Sequence, residues 1–240
     1  FIGMKKRACK RVGINSFDCE LPQATNESEL KKEIEKLNRH PEVDGILLQL
    51  PLPPHLDPLR IISTIDPAKD VDGFHPLNMG KLLLGDSTGF IPCTPHGVLL
   101  LLQHYQIPLP GKQVVILGRS NIVGKPLAAL LMQKSPTIDA TVTVAHSGSR
   151  DLPALCRSAD IVVAAMGKPE FVKGEWLKEA AVVVDVGINR TEDGRVVGDV
   201  HFASASKKVS AITPVPGGVG PMTIALLLSN TVRSHAQAKT

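Results

Sequence analysis

The stretch Lys112–Leu131, KQVVILGRSNIVGKPLAALL, decides how this chain folds. Val114, Val115, Ile116 and Leu117 make a short, mostly β-branched apolar run, as expected of a strand buried on both faces. Gly118 ends the run. Gly124 and Pro126 then open a segment with helical apolar spacing at Leu127, Leu130 and Leu131. The reading is strand, tight turn, helix. Backbone N–H groups at such a helix start can bind a phosphate. The pattern G-R-S-x-x-V-G-x-P is a relative of the dinucleotide fingerprint rather than the fingerprint itself. By itself it fits an ordinary strand-to-helix turn as well as a phosphate site.

Further along, ATVTVA (140–145), IVVAAM (161–166), AVVVDV (181–186) and Ser210–Thr213 read as four more strands. Short helical segments at 151–157 and 175–180 alternate with them, and residues 192–194 turn a hairpin-like excursion. Strands alternating with helices predict an α/β fold with a parallel, doubly wound, Rossmann-type sheet. In such a fold the end of the second strand addresses the adenosine ribose, and an acid there selects NAD. Here that strand runs into His146-Ser147-Gly148-Ser149-Arg150, with no acid before Asp151. Arg119 and Ser120 lie in the turn itself, and Arg offers a forked cation to a phosphate. Both positions favour NADP over NAD.

Upstream, residues 1–13 read as a helix with Phe1, Met4, Ala8 and Val12 on one face and Gly13 as its C-cap. Lys5 lies beside that stripe, either as one more solvated cation or as a residue with a task. Residues 14–22 read as a short strand, 26–39 as a helix and 58–65 as a short helix. Ile46, Leu47, Leu48 and Leu50 predict a buried strand interrupted by Gln49, a structural bridge or a residue facing a site. Pro51, Pro53 and Pro54 stop it. Asp70 and Asp72 flank Val71 before the turn at Gly73. They serve the turn or a polar ligand, and no carboxylate cluster supports a metal. FIPCTP (90–95) reads as a domain boundary, followed by a helix over 97–105. A Gly- and Pro-rich loop, Pro214–Met222, precedes a strong helix with Ile224, Leu227, Leu228 and Val232 on one face. The loop is either a rigid connector or a close-approach ligand loop.

The 240 residues are 43% hydrophobic, 21% charged and only 3% aromatic, so a packed aliphatic core is expected. The net charge of +4 suits an anionic ligand and falls short of a nucleic-acid-binding stripe. No apolar run reaches membrane-spanning length. Cys9, Cys19, Cys93 and Cys156 show neither metal-ligand spacing nor a disulfide framework, which points to reduced thiols in a cytoplasmic setting. Opening on a helix-like pattern at Phe1 without Met, the chain reads as N-terminally truncated.

The Lys-bearing first helix, DGILLQLPLP, KDVDGFHP, FIPCTPHG, GRSNIVGKP, VVVDVGIN, VVGDV and ITPVPGGVGPMT occur in this order. Together they resemble the bifunctional methylenetetrahydrofolate dehydrogenase/methenyltetrahydrofolate cyclohydrolase family over essentially the whole chain. The resemblance implies a catalytic α/β domain (1–93 and 214–240) completed by the C-terminal helix, an NADP domain (94–213), and homodimers. It makes Lys5 the general acid/base, oriented by Gln49, with Asp72 on the polar edge of a tetrahydrofolate-type substrate. Leu48 and Leu50 would line the folate pocket, completed by Pro214, Val215, Pro216, Gly217, Gly218, Val219, Gly220, Pro221 and Met222. Gly118, Arg119 and Ser120 would hold the cofactor's phosphates, with Ser147 and Ile188 lining its site. The family's Tyr is Phe1 here, which keeps a ring to stack on folate and loses the hydroxyl. The implied chemistry is NADP-dependent oxidation of methylenetetrahydrofolate and hydrolysis of the methenyl product to 10-formyltetrahydrofolate, in one-carbon metabolism and purine biosynthesis. A dehydrogenase-only relative and a non-catalytic NADP-binding fragment are the alternatives.

Overall fold

The structure is a computed structural model and describes residues 2–239. In chain order its elements are α1 (Ile2–Arg11), α2 (Glu27–Arg39), α3 (Pro58–Ile62), α4 (Pro76–Leu84), α5 (Cys93–His104), β1 (Gln113–Leu117), α6 (Gly124–Leu131), β2 (Thr141–Ala145), α7 (Leu152–Ser158), β3 (Ile161–Ala164), β4 (Val182–Asp185), β5 (Asn189–Arg190), β6 (Val196–Val197), α8 (Phe202–Ala205), β7 (Ala211–Ile212) and α9 (Val219–Gln237). They form two compact units. One runs up to Cys93 and resumes at Ile224; the other is Thr94–Thr223.

The second unit is built on a parallel five-stranded sheet in the order β2-β1-β3-β4-β7. β1 and β3 are buried on both faces, which is why their sequences read as unbroken apolar runs. The chain leaves β1 towards one edge and β3 towards the other. The strand order therefore reverses between them, which is where such sheets bind ligands. β5 and β6 pair antiparallel as the small excursion. The expected strand over 161–166 stops at Ala164; Ala165 N–H still donates to Leu117 O, and from Met166 on the backbone N–H groups turn to a carboxylate described below. The expected helix over 175–180 is a single 3-10 turn, Gly174–Trp176. Ala180 takes a left-handed φ of 57°, which breaks a helix and turns the chain into β4.

The first unit packs helices around Leu30, Ile34, Val43, Ile46, Leu56, Ile61 and Ile65. α2 starts on a capping box: Glu29 N–H donates to Asn26 Oδ1 (3.0 Å) and Asn26 N–H to Glu29 Oε2 (3.1 Å). Lys69 Nζ closes its far end on the carbonyls of Asn38 (2.8 Å) and His40 (3.0 Å). Neither 14–22 nor 46–50 forms the expected strand. Ile46 alone makes a parallel bridge to Asp70, its N–H on Lys69 O at 2.8 Å, and the neighbouring residues find no ladder partner among the described residues.

Two predicted helix faces are rotated. In α1, Met4 is exposed, as is Val12 just past its end, while Cys9 is buried and Lys5 and Ala8 half-buried. The inward stripe therefore runs through Lys5 and Cys9, one turn apart. In α9, Val232 is exposed, whereas Asn230 and Ser234 are buried with Ile224 and Leu227. The polar pair goes inside because it satisfies main-chain carbonyls. Asn230 Nδ2 donates to Val71 O (2.9 Å) and Ser234 Oγ to Ala68 O (2.7 Å).

Candidate active site

In the first unit α1 presents Lys5 beside Gln49, and Lys5 Nζ donates to Gln49 Oε1 at 3.3 Å. Gln49 is exposed, contrary to the buried amide expected of a strand interior, because no strand forms there to cover it. Its own Nε2 donates to Leu50 O at 2.9 Å, so the carboxamide oxygen is the end left facing the amine. Both residues line a cavity of about 610 Å³, with Cys9, Ile46, Leu48 and Leu227 also in its wall. Phe1, expected to stack on a substrate, lies outside the described residues.

The two acids of the VDG turn are unlike. Asp70 is fully buried, and its carboxylate accepts the N–H groups of Phe74 (3.2 Å) and His75 (2.8 Å) and Asn78 Nδ2 (2.8 Å). It holds the turn. Asp72 is half-buried, and desolvation pushes its pKa up to about 6, opposed by the nearby Lys5 cation and reinforced by Asp70. Cys93 lies against it, the thiol's own pKa raised by burial. Asn230 reaches Cys93 Sγ at 3.6 Å and braces Val71, the residue before Asp72. Lys5, Gln49 and Asp72, distant in sequence, thus come together. Among the described residues no group of His, Cys, Asp and Glu could hold a metal ion.

The second unit carries a tight phosphate-type turn. Gly118 has φ +125°, and a Cβ there would stand 2.2 Å from Ala165 O. A Cβ on Gly124 would stand 2.1 Å from Gly118 O. Both positions therefore admit only glycine, and the turn is pressed flat onto the end of β3. Ser120 Oγ accepts Val123 N–H (3.1 Å), so its hydroxyl shapes the turn. Val123, the residue before α6, provides no side-chain cap for that helix start. Exposed Arg119 places Nη1 3.4 Å from His146 Nε2 at the end of β2, with exposed Ser147 next in the chain. No acid lies there. A flat glycine turn, an uncapped helix start and a guanidinium at the ribose position together fit a phosphorylated dinucleotide. Ile188 is exposed, close to Gly220. The loop expected over 214–222 is shorter: it turns at Gly217 (φ +103°) and Gly218, whose Cβ would stand 2.6 Å from Pro214 O, and α9 begins at Val219. This loop clusters with the second unit.

Sequence reasoning singled out neither Asp185 nor Asp199 as a site residue. Asp185 Oδ1 accepts the N–H groups of Gly187 (2.9 Å) and Asp199 (2.9 Å), and Oδ2 that of Val200 (2.8 Å). Burial nevertheless raises its pKa to about 6. The signal in the sequence was an acid inside the apolar run VVVDV, which must find donors once the strand is buried.

A parallel α/β sheet with a glycine turn at its switch point and no acid on the ribose defines a dinucleotide-binding protein, here joined to a unit that pairs a lysine with an amide. Two family models match: the tetrahydrofolate dehydrogenase/cyclohydrolase catalytic domain over residues 1–72 and its NAD(P)-binding domain over residues 92–239. The chain belongs to the tetrahydrofolate dehydrogenase/cyclohydrolase family. It is 52% identical to the bifunctional protein FolD of Protochlamydia amoebophila over 245 residues, covering 100% of this chain and 84% of that one. With the FolD of Moorella thermoacetica it shares 55% identity over 234 residues, 98% and 82% of the two chains. The solved FolD of Campylobacter jejuni superposes with a TM-score of 0.94 at 49% identity, covering 98% of this chain and 82% of that one. The Trypanosoma brucei enzyme, solved with NADP and an inhibitor, gives 0.92 at 40% identity, over 98% and 81%.

Proposed function

We propose that the protein oxidises 5,10-methylenetetrahydrofolate to the methenyl form with NADP and hydrolyses that product to 10-formyltetrahydrofolate. The observation that carries this is the Lys5–Gln49 pair, 3.3 Å apart, with Asp72 close enough to feel the Lys5 charge. Hydrolysis needs a base for the attacking water and then an acid for the departing nitrogen. Lys5 Nζ takes the proton from water as its oxygen bonds to the methenyl carbon. It returns that proton to N5 as the carbon–N5 bond breaks, while the remaining hydroxyl proton is released to water and the oxygen becomes the formyl carbonyl on N10. Gln49 orients the amine without adding a charge. Asp72 accepts from the polar edge of the pterin, and Leu48 and Leu50 line the folate pocket.

NADP, when bound, accepts the hydride removed from the methylene carbon. Gly118, Arg119 and Ser120 would hold its phosphates, Arg119 taking the 2′-phosphate, with Ser147 and Ile188 along its length. The catalytic domain is 1–93 with 214–240 and the NADP domain 94–213. Homodimers, a cytoplasmic location and a link to purine biosynthesis belong to the same reading and rest on family membership.

The test follows NADPH, methenyl- and 10-formyltetrahydrofolate separately after supplying methylenetetrahydrofolate and NADP. Wild-type protein makes all three. Lys5→Met loses hydrolysis while keeping NADP affinity within about twofold, since one amine supplies both proton transfers. Methenyl product accumulating at the spontaneous hydrolysis rate in the wild type would sink the cyclohydrolase half. NADP binding without any NADPH would sink both.

A further inference from the structure

Asp199, on the segment after β6, has no exposed surface, yet nothing in the proposed chemistry uses it. Its carboxylate accepts four N–H groups. Oδ2 takes the backbone N–H groups of Met166 and Gly167 (3.0 Å), and Oδ1 takes Lys168 N–H (2.9 Å) and Asn189 Nδ2 (2.8 Å). The first three donors are consecutive residues of the loop leaving β3. The fourth belongs to the loop leaving β4. A Cβ on Gly187 would stand 2.3 Å from Asp199 Oδ1, so the second loop's backbone passes directly over the carboxylate. Asp185, at the end of β4, accepts the N–H of Asp199 and secures it from below. The same loop from β3 begins with Ala165, whose carbonyl meets the Gly118 turn.

Three consecutive N–H groups pointing at one spot form an anion-binding concavity. Here the protein fills it with its own carboxylate. A cofactor phosphate therefore cannot use this loop, and the Gly118–Gly124 turn is left for that purpose. Arg119 and His146 mark the β1–β2 side of the switch point for the adenosine half. A dinucleotide lying across the carboxyl ends of the strands then has its other half over β3 and β4. Those are the two strand ends that Asp199 ties together, and Ile188 sits between Gly187, whose backbone passes over the carboxylate, and Asn189, which donates to it.

We propose that Asp199 is a positioning residue for the nicotinamide half of the cofactor, holding the loops after β3 and β4 in one arrangement through its four accepted hydrogen bonds. It touches no reactant. The inference deepens the cofactor reading above and rests on it.

The test uses Asp199→Asn, which keeps the size but puts a donor where two N–H groups already point. Affinities for NADP and for 2′,5′-ADP, which carries only the adenosine half, are measured by calorimetry, together with both activities. We expect NADP binding to weaken by at least about tenfold, as when buried donors lose a charged acceptor. We expect 2′,5′-ADP binding and cyclohydrolase turnover to stay within about twofold, because neither uses these loops. Equal losses for both ligands, or unchanged NADP affinity, would overturn the proposal. Asn189→Ala removes one donor of the four and leaves the backbone loop intact. It should show the same ligand pattern more weakly, and it decides the matter by the same criteria if Asp199→Asn does not fold. Wild-type protein that binds neither ligand would instead overturn the cofactor reading, and this inference with it.

Discussion

At the scale of single residues, chemistry and location separate. By residue type and spacing alone Lys5 reads as one of several cations on a basic helix, and only the family resemblance gives it a role. What singles it out is that its helix turns the Lys5–Cys9 stripe inward, so the amine meets Gln49. Arg119 shows the opposite relation. Its place in the glycine turn was legible in the sequence, and the structure adds His146 at 3.4 Å. An exposed guanidinium beside an imidazole is suited to a phosphate monoester and has less to offer a ribose hydroxyl. Arg119→Ala should therefore weaken NADP binding by about 10- to 100-fold while NAD binding changes little. Titrations with both cofactors check this, and equal losses would contradict the assignment. Asp70 and Asp72 looked alike in sequence. One is consumed by the turn and the other is left with an elevated pKa, a difference of burial and hydrogen bonding that adjacency in the chain does not encode.

At the scale of elements, the strand–turn–helix at 112–131 was readable because its constraints are local. A β-branched run, two glycines and a proline leave few other conformations. Gly124→Ala tests how tight that turn is. The added methyl group would collide with backbone at Gly118, where no side chain can swing aside. The variant should lose about 1–3 kcal/mol of stability and bind NADP more weakly, read from thermal melts with and without cofactor. Elements of the first unit were less legible. The run at 46–50 has strand composition, yet a strand exists only if a neighbour supplies a ladder, and only Ile46 finds one here. α9 was legible as a helix but not in its orientation. Asn230 and Ser234 face inward because the carbonyls they satisfy come from residues far away in sequence.

Across the whole molecule, two buried or partly buried acids set an unusual pH dependence. Asp72 and Asp185 have folded-state pKa values raised to about 6, mainly by desolvation. A raised carboxyl pKa favours the folded state fully below the unfolded value near 4, and the benefit is lost as pH rises through 6. For well-buried Asp185 the shift corresponds to about 3 kcal/mol. Acids with lowered values, such as exposed Asp193 at about 2, act only below that window. Thermal stability without cofactor should thus fall between about pH 4 and 6, with protons released on unfolding, as calorimetry in buffers of different ionisation enthalpy would show. A flat profile there would mean that neither acid titrates as described. By itself the sequence determined the fold class, the dinucleotide turn and the family, because those depend on short-range patterns and residue identities. Tertiary structure decided how closely Lys5 approaches its amide, which helix faces turn inward, which carboxyls burial pushes towards neutrality, and that Asp199 ties two loops together. Each of those depends on which donors and how much water remain once distant segments have packed, and that is a property of neighbours in space rather than in sequence.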